Sequence, residues 1–426
     1  MPTTIVAVPC TVCGVVCDDL RVTVDGGRIV AAEGACDLSR PRLLGQNATS
    51  PAVAEIGGEP APLDEAIDRA ADILRAARSP LLYGLSRSTT EGQRAAVELA
   101  EVLGGTIDTT AATGHAPSLT ALQQVGESTC SLGEVRQRAD LVIYWGCDPV
   151  TTHPRHIERY APPRPGRTTV VVDVRETATA RLADVFVQLP PDRDWETLWQ
   201  VRDLVQVERS RGSGPMPALA ASGPLQSTAR QLADLMLGAR FGIVFFGGGL
   251  IQGPLAHRNV EALLQLITDL NDRTRFYARR MRRFGDIAGA DSVLTWQTGY
   301  PFGVNFGRGF PRYNPGEFSA PAMLARREVD ACLFVGSETS AEFPPAAIEH
   351  LGEIPVIALE SPETRTMVPP TVRFTTAVYG VHRPGTAYRM DEIPIPLKVL
   401  LPTDYPSDGE VLTRLLARVR GPETVP

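Results

Sequence analysis

The sequence predicts an α/β protein with two related doubly wound, Rossmann-like units and a small N-terminal β-rich domain that carries cysteines. Three observations support this fold class. Short apolar runs typical of buried strands alternate with amphipathic stretches typical of helices. A strand–helix–strand pattern occurs twice with nearly the same spacing. Four of the seven cysteines lie within the first 36 of the 426 residues.

The composition excludes several classes of protein. Hydrophobic residues make up 43% of the chain and charged residues 21%, which excludes disordered, collagen-like and coiled-coil proteins. The 42 Lys and Arg residues against 49 Asp and Glu residues give a net charge of −7, which argues against nucleic-acid or membrane-surface partners. Apolar runs such as residues 242–246 are far shorter than the roughly 20 residues of a membrane span. Because residues 1–9 show no secretion signal, we expect a cytoplasmic protein.

The N-terminal cysteines form the most specific short motif. Cys10, Cys13 and Cys17 follow a C-x2-C-x3-C pattern, and Cys36 comes 19 positions later. Four thiolates suit either a [4Fe–4S] cluster or a structural zinc ion. The uneven spacing favours the cluster, because zinc sites more often use two C-x2-C pairs. A third interpretation is a set of reduced, buried cysteines that bind no metal.

The predicted elements follow in order along the chain. Residues 20–32 alternate around an Asp-Gly-Gly turn, which predicts a hairpin within a β-rich domain of residues 1–57. The first α/β unit is expected over residues 58–208. It begins with a helix over 63–77, a buried strand over 81–84 and a helix that opens at the capping-box sequence 88–91.

The repeat defines the second unit. The strand at 139–147, the helical segment 154–160 and the strand at 169–174 are matched by segments 329–337, 344–351 and 355–359. Asp140 and Asp173 are 33 positions apart, and Asp330 and Glu360 are 30 apart. Residues 240–270 likewise echo the strand at 81–84 and its helix. We therefore expect a second unit over 227–400, with interleaving of the units left open, a linker at 209–226 and a tail at 401–426.

Other segments suggest ligand contacts. His115 lies in a Gly/Pro loop of the kind that binds ligands at strand ends. His153 and His156 have chelating spacing, but with no acidic or cysteine partner nearby we favour a polar helix entrance. The glycines at 247–249 lack the full dinucleotide motif and predict a tight turn. The aromatic, arginine-rich segment 299–317 indicates either a binding loop or a packing surface for a partner chain.

Long strings of the sequence resemble the B subunit of formylmethanofuran dehydrogenase and its bacterial version, the B subunit of the formyltransferase/hydrolase complex. They include CTVCGVVCDD, GEVRQRADLVIYWGCDPVTTHPRHIERY, TWQTGYPFGVNFGRGFPRYNPGE and GTAYRMDEIP. The resemblance runs through nearly the whole chain. It implies a fold similar to the molybdopterin oxidoreductases, with a [4Fe–4S] cluster and a bis-pterin tungsten or molybdenum centre.

The resemblance also assigns residues. The cluster ligands map to Cys10, Cys13, Cys17 and Cys36, the active-site histidine maps to His115, and the arginine maps to Arg282. The family's metal-ligating cysteine position is Gly114, which has no side chain and supplies no thiolate. We therefore expect no tungsten or molybdenum bis-pterin centre, with His115 and Arg282 as remnants of the family site. Together with Arg308, Arg282 is a candidate anion or channel residue.

These assignments favour a non-redox, largely scaffolding subunit of a formyltransferase/hydrolase complex. Such a complex moves a formyl group from tetrahydromethanopterin to a methanofuran-like carrier and releases formate. The expected partners are the amidohydrolase-type A subunit, the C subunit and the formyltransferase D subunit of the same complex. One alternative is an active tungsten- or molybdenum-pterin dehydrogenase subunit that interconverts carbon dioxide and formate. Another is a free-standing iron–sulfur electron carrier.

Overall fold

The chain folds into two compact units. The computed structural model describes residues 1–47, 49–210, 224–253, 255–336 and 338–421. Unit 1 comprises Met1–Gly114 and Phe284–Pro426, and unit 2 comprises His115–Arg283. The chain therefore leaves unit 1 after Gly114 and returns to it at Phe284.

Unit 1 begins with a small antiparallel sheet and the first part of a larger one. Its first elements are β1 (Thr3–Val8), β2 (Leu20–Asp25), β3 (Arg28–Glu33), α1 (Ser39–Leu44), β4 (Ala54–Ile56), β5 (Glu59–Pro60), α2 (Leu63–Ala76), β6 (Pro80–Gly84), α3 (Thr90–Val102), β7 (Thr106–Thr109) and α4 (Ala111–Gly114). Strands β1, β2 and β3 form the small sheet in that order. The hairpin predicted over residues 20–32 is confirmed, because β2 and β3 pair antiparallel.

The described residues of unit 2 form one five-stranded sheet with helices. Its elements are α5 (Ala116–Val125), α6 (Leu132–Arg138), β8 (Leu141–Trp145), α7 (Pro149–Thr152), α8 (His156–Tyr160), β9 (Thr168–Asp173), β10 (Val185–Gln188), α9 (Asp194–Ser210), α10 (Pro224–Gly238), β11 (Phe241–Phe246), α11 (Ala256–Leu270) and β12 (Arg275–Arg280). The strand order is β10-β9-β8-β11-β12, and all neighbouring pairs are parallel.

The remaining elements return to unit 1. They are α12 (Ile287–Thr298), β13 (Val304–Asn305), β14 (Arg312–Tyr313), α13 (Pro315–Phe318), α14 (Ala320–Ala325), β15 (Ala331–Val335), α15 (Pro345–Leu351), β16 (Val356–Glu360), β17 (Val372–Thr375), β18 (Gly385–Tyr388), β19 (Pro394–Leu397) and α16 (Asp408–Arg420). The large sheet has the order β14-β13-β7-β6-β15-β16-β17-β4-β5. Its five central strands, β7 to β17, are parallel, and antiparallel strands extend it on both sides.

The strands form because their side chains are apolar on both faces. Every residue of β6, β8, β11, β15 and β16 is buried, as expected of parallel strands covered by helices on both sides. Helices α2 and α3 place their apolar residues on one side of the large sheet. These elements confirm the predicted α/β class, with helix and strand bounds that differ from the predicted ones by a few residues. The helix predicted to open at 88–91 is capped by Thr89, whose hydroxyl accepts from the Gly92 N–H.

The chain is divided differently from the sequence-based expectation. Residues 58–208 do not form one unit, because β6 pairs with β15 in the large sheet of unit 1, whereas β8 pairs with β11 in unit 2. The two units therefore interleave along the chain. Strands before and after the predicted linker at 209–226 pair with each other within unit 2. This linker is therefore not a boundary between units. Residues 211–223 of the linker lie outside the described residues.

Two further domain boundaries also differ from the sequence-based expectation. The segment expected as a tail at 401–426 contains α16, whose Val411, Leu412 and Leu415 are buried in the core of unit 1. An amphipathic helix with an apolar face of this kind gains stability by packing, which is why it is part of the unit. Residues 1–57 are likewise part of unit 1, and β4 extends its large sheet. Among the described residues, no helix is long and apolar enough to cross a membrane.

Candidate functional site

The four N-terminal cysteines lie on two short segments of unit 1. Cys10, Cys13 and Cys17 are buried and belong to one loop, which the Cys10 N–H closes by donating to the Cys17 carbonyl at 2.7 Å. Val16 in this loop has a φ of 40°, a strained conformation for a β-branched residue. Cys36 precedes α1, and its Sγ lies 3.5 Å from the Ser39 hydroxyl. The loop geometry thus holds three thiols inside the protein.

The thiols interact with one another. Burial raises the pKa of Cys13, and the neighbouring Cys10, Cys17 and Cys36 raise it further. All four cysteines are free of disulfides. In the described ranges, no group of three or more His, Cys, Asp or Glu side chains is placed to hold a single metal ion. Each of the four thiolates of a [4Fe–4S] cluster binds a different iron, so four cysteines are the number of ligands that such a cluster takes.

A cavity of about 540 Å³ lies in unit 1 beside the cysteine loop. It is lined by Cys10 and Thr11 and by residues that follow β15 and β16, including Gly336 and Ser361. Ligands of open α/β sheets bind at the carboxyl ends of strands, which is where this cavity lies. Its polar lining includes three arginines: Arg42, Arg87 and Arg365. The lining also includes the carboxyl groups of Glu363 and Asp408, so the cavity carries side chains of both charges. No sequence motif had indicated it.

Gly114 is the last residue of α4, and His115 directly precedes α5. The predicted Gly/Pro loop is instead α4, which ends at Gly114, and α5, which begins after His115. A Cβ atom added at Gly114 would meet no other atom within 4 Å. Packing therefore does not require glycine at this position. A glycine at this position has no side chain that could ligate a tungsten or molybdenum centre.

His115 and Arg282 are both buried in unit 2. The carbonyl of His115 accepts from the Ser118 hydroxyl at 2.7 Å, which fixes the first turn of α5. The carbonyl of Arg282 accepts from Nε2 of His153 at 2.7 Å. Burial lowers the pKa of His153 to about 4, so its ring is neutral at pH 7. The backbone at Arg282 is thus held by a neutral histidine.

His156 lies in an aromatic environment rather than at a polar helix entrance. Its ring packs edge-on against Phe245, with centroids 4.6 Å apart, and against Tyr144. Neither ring nitrogen has a hydrogen-bond partner among the described residues. Burial lowers its pKa to about 3. The prediction of a polar environment was wrong because the strands beside α8 carry aromatic side chains.

The aromatic segment 299–317 is held by a buried carboxyl group. The side chain of Asp108 accepts from the N–H groups of Gly303 at 2.9 Å and Ala320 at 2.6 Å. The rings of Tyr300 and Tyr313 stack with centroids 5.0 Å apart. Most of the segment therefore packs within unit 1. Arg308 lies at the exposed turn between β13 and β14, so the structure does not place it with Arg282 in one unit.

The glycines at 247–249 form the tight turn that the sequence predicted. The Gly247 N–H donates to the Trp145 carbonyl at 3.1 Å, and the Gly249 N–H donates to the Gly146 carbonyl at 2.8 Å. A Cβ atom at Gly249 would lie 2.7 Å from Gly146 Cα. Only glycine allows the backbones to approach this closely.

Comparison with solved structures defines the class of fold. A chain of the formyltransferase/hydrolase complex (FhcABCD) from Methylorubrum extorquens, solved with methylofuran, matches with a TM-score of 0.69 and 24% identity over 86% of this chain and 98% of that one. Acetylene hydratase from Pelobacter acetylenicus matches with a TM-score of 0.68 and 12% identity over 97% of this chain and 69% of that one. The fold is therefore molybdopterin oxidoreductase-like.

Sequence comparison defines the family. The B subunit of tungsten-containing formylmethanofuran dehydrogenase 2 from Methanocaldococcus jannaschii is 37% identical over 97% of this chain and 98% of its own length. The same subunit from Methanococcus maripaludis is 35% identical over 97% of this chain and 98% of its own length. The B subunit of the Fhc complex from Methylorubrum extorquens is 28% identical over 66% of this chain and 74% of its own length. No protein-family model matches. The chain belongs to the family of formylmethanofuran dehydrogenase B subunits.

Proposed function

We propose that this chain is a non-redox, largely scaffolding subunit of a formyltransferase/hydrolase complex. The complex would transfer a formyl group from tetrahydromethanopterin to a methanofuran-like carrier and release formate. Its partners would be an amidohydrolase-type subunit, the C subunit and a formyltransferase subunit. Hydrolysis and transfer would take place on those partners.

Gly114 carries this proposal. The resemblance places the metal-ligating cysteine of the family at this position, and a glycine supplies no thiolate to hold and tune a metal. The open space around Gly114 would accommodate a cysteine side chain, so packing does not account for the glycine. The absence of the thiolate is therefore a chemical difference from a redox subunit.

The cysteines have a separate role in the proposal. Cys10, Cys13, Cys17 and Cys36 would hold a [4Fe–4S] cluster that stabilises the loop and the small sheet beside it. With no redox centre at Gly114, such a cluster has no electron partner within the chain. The cavity of about 540 Å³ would be the remnant of a ligand pocket of the ancestral fold.

The remaining family residues support an electrostatic role. Arg282 would favour an anion such as formate, because a guanidinium group binds carboxylates well. In an Arg282→Ala variant of the intact complex we expect slower formate release. Unchanged release would contradict this role while leaving the scaffolding role intact.

The two units would also be related doubly wound, Rossmann-like units. This is supported by the five parallel strands of each unit, which follow the order β7-β6-β15-β16-β17 in unit 1 and β12-β11-β8-β9-β10 in unit 2. In unit 1 the strands β7 and β6 lie beside β15, β16 and β17, and in unit 2 the strands β12 and β11 lie beside β8, β9 and β10.

An assay of the purified complex tests the proposed function. With a formylated carrier as substrate, we expect formate release without reduction of an added viologen dye. Dye reduction that depends on this chain would instead show an active dehydrogenase subunit.

A further inference from the structure

The cysteines of the N-terminal motif lie on two segments, and one serine side chain faces both of them. Ser39 is the first residue of α1 and is buried. Its hydroxyl lies 3.5 Å from Cys36 Sγ. Burial raises the pKa of Cys10 on the cysteine loop, and the hydroxyl of Ser39 is among the groups that oppose this rise. The Ser39 hydroxyl therefore acts on a thiol from each segment.

The thiols of the cysteine loop have different surroundings. The Ser39 hydroxyl and the Arg87 guanidinium both oppose the effect of burial on the pKa of Cys10. At Cys13, burial and the neighbouring thiols raise the pKa, and a backbone N–H at Val15 opposes the rise. Polar side chains thus lie on the Cys10 side of the motif.

The Ser39 hydroxyl has one proton and two acceptors within reach. Besides Cys36 Sγ, the Cys36 carbonyl oxygen lies 3.3 Å away. That carbonyl already accepts from the backbone N–H groups of Ser39 at 3.1 Å and Arg40 at 2.8 Å. A cysteine that ligates iron is a thiolate, and hydrogen bonds to ionised acceptors are about twice as strong as those to neutral ones. The proton of the hydroxyl is therefore best used by the thiolate of Cys36.

We propose that Ser39 is a positioning residue for the iron–sulfur cluster that the four cysteines would hold. Its hydroxyl donates to the Cys36 thiolate and keeps this ligand beside Cys10, so that the two ligand segments stay together. A hydrogen bond to a ligand sulfur stabilises the more negative, reduced form and thereby raises the reduction potential. This inference rests on the part of the proposed function that assigns a cluster to the cysteines, and it is independent of the scaffolding role.

Redox titration of the complex, purified without oxygen, tests the proposal. The variants are Ser39→Ala, Ser39→Val and Ser39→Thr; valine and threonine have the same shape and differ in the hydroxyl. Electron paramagnetic resonance of the reduced form gives the midpoint potential, and a chelator gives the rate of iron loss. We expect Ser39→Ala and Ser39→Val to weaken reduction about tenfold, a midpoint potential about 59 mV lower for one electron. We expect both to lose iron about tenfold faster and Ser39→Thr to keep the original values.

Thr11→Val is the matched control. Thr11 follows Cys10 in the cysteine loop and is half-buried. Within the described part of the chain, its hydroxyl makes no hydrogen bond with a cysteine. We expect this variant to keep the midpoint potential and the rate of iron loss. A shift equal to that of Ser39→Ala would overturn the proposal, because any change near the loop would then have the same effect.

The other outcomes separate this inference from the proposed function. A full cluster with an unchanged potential in Ser39→Ala and Ser39→Val would overturn the inference alone. Loss of the cluster from these two variants but not from Ser39→Thr would support it, whereas loss from all three would overturn it. Absence of iron from the unmodified complex would overturn the cluster and this inference with it. Failure of the partner subunits to co-purify would overturn the scaffolding role alone, since the titration can be made on the full chain by itself.

Discussion

Unit 1 contains the strand–helix–strand block β15-α15-β16, and unit 2 contains the block β8-α8-β9. An aspartate directly before the first strand of each block accepts hydrogen bonds from the backbone at the start of the neighbouring strand. In unit 1, Asp330 accepts from the N–H groups of Arg78 and Ser79 at 2.8 Å, next to the start of β6. In unit 2, Asp140 accepts from the N–H of Phe241 at 3.0 Å, at the start of β11. The repeated aspartates thus bind the neighbouring strand in both units.

The carboxyl ends of the blocks differ. In unit 1, Gly336 and Ser361 line the large cavity. In unit 2, Asp148 after β8 accepts from the Thr179 N–H at 2.9 Å, and His156 at the start of α8 packs among aromatic rings. The carboxyl ends of the strands therefore line a pocket in unit 1, whereas in unit 2 the segments after β8 are held by a hydrogen bond and by aromatic packing.

Glycines at the strand ends make close backbone contacts in both units, and we expect substitutions there to have the largest effect on stability. A Cβ atom at Gly84 would lie 2.4 Å from the Val335 carbonyl oxygen, and one at Gly146 would lie 2.6 Å from the Leu250 nitrogen. Both glycines also have positive φ. We expect Gly84→Ala and Gly146→Ala each to lower the free energy of unfolding by about 3 kcal/mol or more in urea titrations.

Gly26 provides the control for these variants. It has a φ of 54° but no atom within 4 Å of an added Cβ. We expect Gly26→Ala to cost only about 1 kcal/mol, the strain alone. Equal losses in all three variants would show that the close contacts are unimportant.

The paired aspartates provide a second comparison. Removing either carboxylate leaves backbone N–H groups at a strand start without an acceptor. We expect Asp330→Ala and Asp140→Ala each to lower the free energy of unfolding by about 1–3 kcal/mol. The exposed Asp72→Ala is the control and should have little effect. A large loss in only one of the two variants would argue that the blocks are not equivalent.

Acid should destabilise unit 2 through its buried histidines. Burial lowers the folded pKa values of His153 and His156 from 6.5 to about 4 and about 3, so below pH 6.5 the unfolded chain binds more protons. Stability is therefore lost as the pH falls from 6.5 toward 4. In His156→Phe we expect the loss between pH 6.5 and 5 to shrink by about 1.5 kcal/mol.

Tyr144→Phe is the control for the histidine variant. It alters the same aromatic cluster without a group that titrates in this range. The measurement is urea unfolding at both pH values. An acid response of His156→Phe equal to that of the unmodified chain would show that His156 does not contribute to the loss.

Gly114→Ala should have the smallest effect. Its Cβ meets open space, and alanine restricts the unfolded chain more than glycine does. We expect the free energy of unfolding to stay equal or rise by up to about 1 kcal/mol in urea titrations. A clear loss would show that the backbone requires glycine and would weaken the chemical argument from Gly114.

The sequence predicted local structure better than long-range pairing. The strands at 81–84 and 139–147 were recognisable because their residues are apolar on both faces. The interleaving of the units was left open, since apolar strands carry no record of which neighbour they pair with. His156 was placed wrongly because its aromatic neighbours, such as Phe245, are distant in sequence. The cavity was missed because its lining comes from many separate segments.

Metal and pterin analysis of the complex, purified without oxygen, tests the central claim most directly. We predict about four irons per copy of this chain, with no tungsten, molybdenum or pterin. The absence of iron would remove the cluster but leave the scaffolding role. Stoichiometric tungsten or molybdenum with pterin would contradict the non-redox role, because Gly114 has no side chain with which to hold the metal.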